Sequence, residues 1–567
     1  MSMLFPRRLG VFVLSCLVCL PLLQAGPAAM RAESRDGVIV SGSKESTRIG
    51  LKILERGGNA ADAAVAVSLS LGISEAFGSG LGGKLIVLYY DARTGSIHCI
   101  EAMDQAPASL SVPDYTARST EQRETGYGSA CIPGLAAGLE LLHKKWGSLP
   151  WKDCVYPAEH LAREGFIVPP EQLVVFRDGL RKVKDKEALR LYFPGGKPPD
   201  AGTKLPNTDL ANTLKILGDQ GAKGFYEGDI AKKIAAASKA GGGWITEADL
   251  RGYRAHELSP LMADYKKYKI FTSPPPTSGG ATLLLAMKAL ENHDWAGAGP
   301  LDLSRIDATA RVFQQVYPIS SGNFADVPDA QARINRVLRS TTYSAIAEHA
   351  ERCDPSKPYD GDAKSIVGEG ESGSTTHFIV ADREGNIVCA TQSLSHHFGA
   401  TVVVPGTGIL LNNTMTDFAY GSRTGVNYAA GGKRPRSTMT PVIVTEQGKP
   451  VIAIGSPAAQ RIPTGVYQVL SAMIDFNQSA EDAVNETRFH TRNRGGSGDP
   501  PNVIDLEDGF GSDVGPALEA KNWVIYPKRS DNYYFGGVNV VRFLPNGIRE
   551  VVADTRRSNW AEGQPSH

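Results

Sequence analysis

The clearest pattern of polar and apolar positions predicts a β-hairpin in the second half of the chain. Residues 372–374 (SGS) are small and turn-prone, and residues 376–381 (THFIVA) suit a β-strand. Residues 383–386 (REGN) form a turn signal, and residues 387–394 (IVCATQSL) suit a second strand. The pattern therefore places Thr375 at the tip of a strand, directly behind an open loop.

Similar patterns predict the elements near the start of the chain. Residues 38–42 suit a strand, and residues 45–56 carry apolar side chains at helical spacing. Asn59 follows two glycines and can cap an alanine-rich second helix. Residues 74–83 are rich in glycine and serine and precede a strand at residues 85–90. We expect this loop either to serve helix packing or to shape the mouth of a site.

The remainder of the chain divides into a helical region and a mixed region. Residues 131–350 show mainly helical spacing. Residues 354–374 are rich in Gly, Asp and Ser with few apolar side chains, which is typical of a mobile loop. Further strands and helices are predicted at residues 441–445, 451–455, 464–475, 480–485 and 538–543. Periodicity alone therefore predicts a mixed α and β fold.

Composition and charge exclude several classes of protein. The 567 residues are 42% hydrophobic and 21% charged, which is ordinary for a globular protein, and length alone favours about three or four domains. Lys plus Arg and Asp plus Glu each total 60, so nothing indicates binding to nucleic acid or to an anionic membrane surface. Two of the seven cysteines, Cys16 and Cys19, fall in an apolar run near the N-terminus. The other five lack Cys-x-x-Cys spacing, which favours buried free thiols over a zinc site or a disulfide framework.

Residues 1–29 have the pattern of a secretory signal peptide. Arg7 and Arg8 precede an apolar run at residues 9–23, and small residues follow. The run is short for a membrane span, which needs about 20 residues, so we expect no span in the mature chain. The pattern predicts export to the periplasm or the extracellular space, and a lipoprotein anchored at Cys16 is the less favoured alternative.

A cut before Thr375 would create a catalytic group from the main chain itself. Cleavage between Ser374 and Thr375 would place the threonine hydroxyl beside a free α-amine. An α-amine titrates at about pH 8, so it can take the hydroxyl proton and return it to a leaving group. Thr375 is therefore a candidate nucleophile.

Several short motifs follow one another in an order that is more informative than any one of them. They are residues 59–66 (NAADAAVA), 79–83 (SGLGG), 132–134 (IPG), 274–280 (PPPTSGG), 371–382 (ESGSTTHFIVAD), 408–413 (GILLNN), 433–435 (KRP), 455–457 (GSP) and 488–490 (RFH). Together they resemble the γ-glutamyltransferase family of N-terminal nucleophile hydrolases. The resemblance extends from about residue 37 to the C-terminus.

The resemblance implies a fold and a division of the chain. The expected fold is α+β, a four-layer αββα sandwich built from two fragments of one precursor. Residues 1–29 would be the signal peptide, residues 30–374 the large subunit and residues 375–567 the small catalytic subunit. The cleavage site would lie between Ser374 and Thr375, and the two fragments would remain together as a heterodimer.

The resemblance also assigns roles to individual residues. Thr375 would be the nucleophile, and the hydroxyl of Ser393 would contact its amine at a position where the family usually has Thr. Asp417 would pair with the α-ammonium of the substrate. Ser437 and Thr438 would bind its α-carboxylate. Ala458 and Ala459 replace a Gly-Gly pair that forms the oxyanion hole, and alanine resists the positive φ that glycine tolerates.

The sequence departs from the family pattern where the substrate is bound. Met103 stands in place of an Arg that grips the α-carboxylate, so a bidentate ion pair is missing. Ser395 and Thr414 replace longer polar groups at positions that contact the substrate. Arg436 stands at a place that is commonly apolar, and our hypothesis is that it supplies the missing cation.

The leading prediction is a self-processing N-terminal-threonine enzyme that hydrolyses or transfers a γ-glutamyl group from glutathione or another γ-glutamyl amide. The acceptor would be water, an amino acid or a peptide, and no metal or cofactor is expected. Met103 favours one alternative, an acylase or amidase for a non-glutamyl acyl group, such as the glutaryl chains that related cephalosporin acylases remove. A secreted, non-catalytic binding homologue is the second alternative.

Overall fold

A computed structural model gives the architecture of the chain. It describes residues 29–295, 297–357, 373–420, 425–492, 500–530 and 533–565. The predicted signal peptide, apart from Ala29, and most of the predicted loop at residues 354–374 lie outside these residues. Within the described ranges, no helix has the length and apolar character that crossing a membrane requires.

The first of two large sheets, sheet I, carries Thr375. It has seven antiparallel strands in the order β21-β2-β10-β11-β3-β4-β7. The strands are β2 (Val38–Ser41), β3 (Lys84–Asp91), β4 (Ser96–Ala102), β7 (His256–Leu258), β10 (Gly373–Ala381), β11 (Ile387–His396) and β21 (Trp560–Gly563). The predicted hairpin is confirmed as β10 and β11, which lie at the centre of the sheet.

The second large sheet, sheet II, is also antiparallel and has seven strands, in the order β1-β20-β19-β15-β14-β9-β8. The strands are β1 (Met30–Ser34), β8 (Leu261–Tyr265), β9 (Tyr268–Thr272), β14 (Val442–Glu446), β15 (Lys449–Gly455), β19 (Asn539–Phe543) and β20 (Arg549–Ala553). The region at residues 131–350 consists mainly of helices, as the spacing predicts, and the short strands β7, β8 and β9 are exceptions within it.

The two sheets stack face to face, with helices on both outer surfaces. Along β10, Ile379 and Ala381 pack into the core shared with sheet II, while Phe378 and Val380 pack against helices. Both faces of the strand are buried, which explains its continuous apolar run. The arrangement is helix, sheet, sheet, helix, which confirms the predicted four-layer sandwich.

One helical layer covers sheet I. Its helices are α1 (Lys44–Glu55), α2 (Ala60–Ser74), α5 (Leu135–Trp146), α6 (Trp151–Glu164), α7 (Leu173–Leu180), α8 (Lys186–Tyr192), α9 (Thr208–Gln220), α10 (Lys223–Tyr226), α11 (Gly228–Ala240) and α12 (Glu247–Gly252). Asn59 caps α2 as predicted: its side chain accepts from the main-chain N–H groups of Ala61 and Asp62. The cap fixes where α2 begins, and its other end leads into the glycine-rich loop.

A second helical layer covers sheet II. Its helices are α13 (Gly279–Leu290), α14 (Leu303–Asn323), α15 (Ala330–Val337), α16 (Ser340–Arg352), α17 (Arg461–Asp475) and α18 (Ala480–Asn485). The remaining elements are α3 (Val112–Thr116), α4 (Thr120–Glu124), α19 (Val514–Glu519), β5 (Phe166–Ile167), β6 (Lys204–Leu205), β12 (Val403–Val404), β13 (Ile409–Leu410), β16 (Phe489–Thr491), β17 (Val503–Glu507) and β18 (Val524–Lys528).

Both sheets draw strands from both sides of Thr375. In sheet I, β10 pairs with β2 from the N-terminal part, and β11 pairs with β3. In sheet II, β1 pairs with β20, and β9 pairs with β14. A single cut before Thr375 would therefore leave the two parts joined by shared sheets and a shared core.

The described cysteines are all free thiols, in line with the prediction. They are Cys99, Cys131, Cys154, Cys353 and Cys389. All but Cys353 are buried. No disulfide among them contributes to holding the fold together.

Candidate active site

Thr375 lies at the start of the central strand, where the pairing of the hairpin is irregular. The register between β10 and β11 shifts between Ser374 and Thr376. Such a bulge redirects a side chain relative to the regular alternation. The Thr375 side chain is almost fully buried, and its Oγ1 lies 2.7 Å from the carbonyl oxygen of Ser374. The hydroxyl is therefore already beside the bond expected to break.

Ser393 on β11 faces the same bond. Its Oγ lies 3.2 Å from Oγ1 of Thr375, and its hydroxyl also donates to the carbonyl oxygen of Ser374. The main-chain N–H of Ser395 donates to Oγ of Ser393 at 2.9 Å, which fixes its position. Two hydroxyls therefore converge on one carbonyl group, as polarisation of that carbonyl requires.

A buried carboxyl and a buried guanidinium hold the strand next to Thr375. Oγ1 of Thr376 donates to Glu75 at 2.5 Å, and Arg557 donates to the main-chain oxygen of Thr375 at 3.1 Å. Burial raises the pKa of Glu75 to about 7, although Thr376 and Arg557 oppose the shift. Burial lowers the pKa of Arg557 to about 10, although Glu75 opposes that shift. The two groups anchor the main chain around Thr375.

The sequence did not single out Glu75 or Arg557. Glu75 stands alone as a charge between the apolar helix α2 and the glycine-rich loop. A carboxylate in such a segment is rarely buried without a partner. A lone acidic residue at this place was therefore the sequence feature that could have indicated a role for Glu75. Arg557 comes 182 residues after Thr375, and nothing local in the sequence indicates their contact.

Ala458 and Ala459 follow β15 and keep a glycine-like main chain. Their φ angles are 133° and 50°, both in the range that L-residues seldom adopt. Ala459 lines the pocket that contains Thr375, whereas Ala458 is fully buried behind it. The two alanines therefore hold main-chain angles that glycine adopts freely, and their Cβ atoms strain them.

Most of the predicted site residues line one pocket. They are Thr375, Ser393, Ser395, Asp417, Arg436, Ser437, Thr438 and Ala459. Thr414 joins them through hydrogen bonds to Ser395 and to Asp104, at 3.0 and 2.6 Å. Residues separated by long stretches of sequence are thus brought together as the motifs predict.

Lys84 occupies the end of this pocket that the sequence assigns to the substrate's polar groups. It is the first residue of β3 and pairs with Ser393 across the sheet. Its Nζ donates to Oγ of Ser395 at 2.6 Å and to Oδ2 of Asp417 at 2.8 Å. Oγ1 of Thr414 lies 3.4 Å away. Sequence reasoning missed this residue, although a charge directly after the SGLGG motif was visible.

The ionisation of this cluster depends on burial and on the two facing carboxylates. Burial lowers the pKa of Lys84, but Asp417 and Asp104 more than offset this, so the pKa is raised and the ammonium stays charged. Burial raises the pKa of Asp104 to about 7, although Lys84 opposes the shift. Lys84 and Asp417 therefore form a desolvated ion pair beside a carboxyl group that titrates near neutrality.

Met103 does not reach the pocket. Its side chain is fully buried in the core between the two sheets, and its main-chain N–H donates to Glu101. Arg436 does line the pocket, and its guanidinium donates to the main-chain oxygen of Ser321 at 2.8 Å. The hypothesis that Arg436 offers a cation to the pocket is therefore compatible with its position. At position 103 itself, no cationic side chain replaces the Arg of the family.

Four layers of helices and antiparallel sheets, with a hydroxyl residue at the start of a central strand, define the N-terminal nucleophile hydrolase fold. The sequence shows to which family of that class the chain belongs. The chain belongs to the γ-glutamyltranspeptidase family, whose sequence profile matches residues 46–563.

Individual relatives cover nearly the whole chain. It is 31% identical over 585 residues to the glutathione hydrolase proenzyme of Escherichia coli (strain K12), covering 97% of this chain and 98% of the relative. It is 30% identical over 546 residues to the acylase ACY 1 proenzyme of Pseudomonas sp. (strain SE83), covering 94% of each. The crystal structure of cephalosporin acylase from Bacillus halodurans superposes with a TM-score of 0.85 at 23% identity, covering 97% of this chain and 100% of that one. This last likeness shows the fold alone.

Proposed function

We propose that the chain cuts itself between Ser374 and Thr375 and then hydrolyses or transfers γ-glutamyl or closely related acyl groups from amides. One observation carries the proposal: Oγ1 of Thr375 lies 2.7 Å from the carbonyl oxygen of Ser374, in the pocket that also holds Asp417. The family supports acyl-transfer chemistry, and relatives named glutathione hydrolase favour a γ-glutamyl group.

The processing step is an N-to-O acyl shift followed by hydrolysis. Oγ1 of Thr375 attacks the carbonyl carbon of Ser374, the C–N bond breaks, and the nitrogen of Thr375 takes up the proton. The product is an ester between Ser374 and the threonine oxygen. Water then hydrolyses this ester, which leaves a carboxylate on Ser374 and frees the hydroxyl and the α-amine of Thr375.

The mature reaction repeats the attack on a substrate amide. Oγ1 of Thr375 adds to the amide carbonyl while the α-amine accepts its proton, and the amine then passes that proton to the leaving nitrogen. The acyl group remains on Thr375 as an ester. Water or the amine of an amino acid or peptide attacks the ester, which releases the acyl product and restores the hydroxyl.

Two further groups support this chemistry. The main-chain N–H groups at Ala458 and Ala459 are assigned to the negative oxygen of the tetrahedral intermediate, because main-chain donors need no particular side chain. Ser437 and Thr438 are assigned to the carboxylate at the far end of the acyl chain. Both line the pocket with Thr375.

The proposal includes the assembly and the location of the protein. The shared sheets support two fragments that stay together as a heterodimer, residues 30–374 and 375–567. The signal pattern of residues 1–29 supports export to the periplasm or outside the cell. The non-catalytic alternative has the least support, since the chain belongs to a family of enzymes and Thr375 and Ser393 are positioned together.

A denaturing gel with N-terminal sequencing tests the central step. Purified protein is expected to show two fragments, the smaller beginning Thr-Thr-His-Phe, and to release p-nitroaniline from an acyl p-nitroanilide. Thr375→Ala is expected to remain a single chain without activity. Thr375→Ser, which keeps the hydroxyl, is the matched control and should still cut. An uncut parent chain after long incubation would reject the proposal.

A second candidate is an amidase for a non-glutamyl acyl group. The burial of Met103 favours it, because no guanidinium stands at that place to hold an α-carboxylate. The relative named acylase ACY 1 is consistent with it. Both candidates use the same processing and the same ester on Thr375, so they differ only in the acyl chain that the pocket accepts.

A further inference from the structure

The ammonium of Lys84 lies where the pocket is expected to receive the ammonium of a substrate. It contacts Asp417, which is assigned to the substrate ammonium, and Ser395 and Thr414, which stand at positions expected to contact the substrate. The Lys84 side chain is 2% exposed, and that of Asp417 is 14% exposed. The principal acceptor for a substrate ammonium is therefore already engaged by a group of the protein itself.

Lys84 is held in place by the fold as well as by its ion pair. It follows Gly82 and Gly83, whose close packing against the main chain of Leu410 and Ser393 leaves no room for side chains. It then enters β3 opposite Ser393, next to the nucleophile. The ammonium is thus positioned by a rigid strand, as a specificity-determining group requires.

A second ammonium at this place would meet two obstacles. It would lie beside the positive charge of Lys84 in a desolvated pocket, where like charges repel strongly. It would also have to share or displace the contacts of Lys84 with Asp417. An acyl chain without an α-ammonium meets neither obstacle. Its carboxylate would lie with Ser437 and Thr438, which line the same pocket as the cationic Arg436.

We infer that Lys84 occupies the ammonium-binding end of the pocket and excludes a substrate α-ammonium from it. The preferred substrates are then monoamides of a dicarboxylic acid that lack the α-amino group. This inference rests on the proposed function and narrows its substrate class. Hydrolysis of such a monoamide consumes one water molecule and yields the dicarboxylic acid and the free amine, through the same ester on Thr375.

The test compares two anilides that differ in a single group. Glutaryl-p-nitroanilide and γ-glutamyl-p-nitroanilide share the leaving group and the length of the acyl chain, and only the second carries an α-ammonium. With the processed parent protein, kcat/KM is expected to be at least tenfold higher for the glutaryl compound. In Lys84→Met, the ratio of the two kcat/KM values is expected to move at least tenfold towards γ-glutamyl.

Controls separate this inference from a loss of folding and from failure of the proposed function. Lys215→Met removes an exposed lysine on α9 and should leave the ratio unchanged. Appearance of the two fragments on a gel reports folding of each variant, and the ratio in the parent protein stands even if Lys84→Met does not fold. A parent preference for γ-glutamyl, or an unchanged ratio in a processed Lys84→Met, overturns the inference while the proposed function survives. Hydrolysis of neither anilide overturns both.

Discussion

The two ends of the pocket are built in different ways. At the nucleophile end, Thr375, Ser393 and the main chain at Ala459 keep the hydroxyls and the glycine-like path that the family resemblance predicts. At the acyl end, Asp417 is present but is paired with Lys84, a cation that the resemblance did not predict. Under the proposed function, the groups assigned to breaking the amide bond and those assigned to selecting the acyl chain can change separately, because they share a pocket but few contacts.

Removing one partner of the ion pair at the acyl end is expected to have the largest effect on stability. Asp417→Asn leaves the buried ammonium of Lys84 without its closest counter-charge, which should lower the free energy of unfolding by about 3 kcal/mol. Denaturant unfolding in the uncut Thr375→Ala background measures this on a single chain. The double variant Lys84→Met/Asp417→Asn should regain most of the loss, and a double variant no more stable than Asp417→Asn would contradict the pairing.

Substitutions of Ser393 and Ser395 allow the two ends of the pocket to be altered one at a time, since the two residues lie two positions apart on one strand and contact different ends. Ser393→Ala removes a hydroxyl from the carbonyl of Ser374 and is expected to slow self-cleavage on the order of 100-fold. Ser395→Ala removes a partner of Lys84 and should change the processing rate less than about threefold. The time course of fragment formation on a gel measures both, and equal rates would reject the division into two ends.

Glu75, at the nucleophile end of the pocket, is expected to contribute to the pH dependence of stability. Burial raises the pKa of Glu75 from 4.5 to about 7, so between these values the folded chain holds a proton that the unfolded chain has released. Stability should therefore fall as the pH rises through this window, by about 3 kcal/mol from this group alone. Glu75→Gln should reduce the fall measured between pH 4.5 and pH 8.

Asp104 provides the corresponding comparison at the acyl end. Burial raises its pKa from 3.8 to about 7. Asp104→Asn should therefore also reduce the fall in stability between pH 4.5 and pH 8. Its effect should add to that of Glu75→Gln, because the two carboxyl groups contact different ends of the pocket. A fall in stability that neither substitution changes would show that both carboxyls are ionised throughout this range.

The smallest expected effect is at the strained alanine. Ala459 has a φ of 50°, and glycine adopts this angle without the penalty of a Cβ. Ala459→Gly should stabilise the uncut chain by about 1 kcal/mol, seen as a higher Tm. Ala472→Gly, in the middle of helix α17, is the matched control and should destabilise by about 1 kcal/mol. Destabilisation by both would show that the angle at Ala459 carries no strain.

Local sequence patterns were sufficient for much of the fold. The turn at residues 383–386 and the flanking apolar runs predict the central hairpin because the alternation and the turn residues act over a few positions. The helix cap at Asn59 was predictable for the same reason, because it involves only neighbouring residues. The strands at residues 256–272 were missed because they are short, lie among helices and include an edge strand, and such positions carry little periodic signal.

The site was predictable only in part for a similar reason. Motif order predicted roles for Thr375 and Asp417 without information on their contacts, and both residues line one pocket. The contact between Lys84 and Asp417 joins residues 333 positions apart, and it depends on how β3 and the residues after β13 meet in space. No pattern along the chain encodes such a meeting, so the feature that distinguishes the acyl end was visible only in the structure.

Mass spectrometry of the acyl-enzyme would show directly which residue carries the acyl group and which acyl group it carries. The processed protein would be mixed with each p-nitroanilide, quenched in acid and digested, and the peptide beginning at Thr375 would be weighed. We expect a glutaryl group on that peptide, at higher occupancy than a γ-glutamyl group under matched conditions. The absence of any adduct on Thr375 during turnover, or an acyl group carried by a different residue, would contradict this expectation.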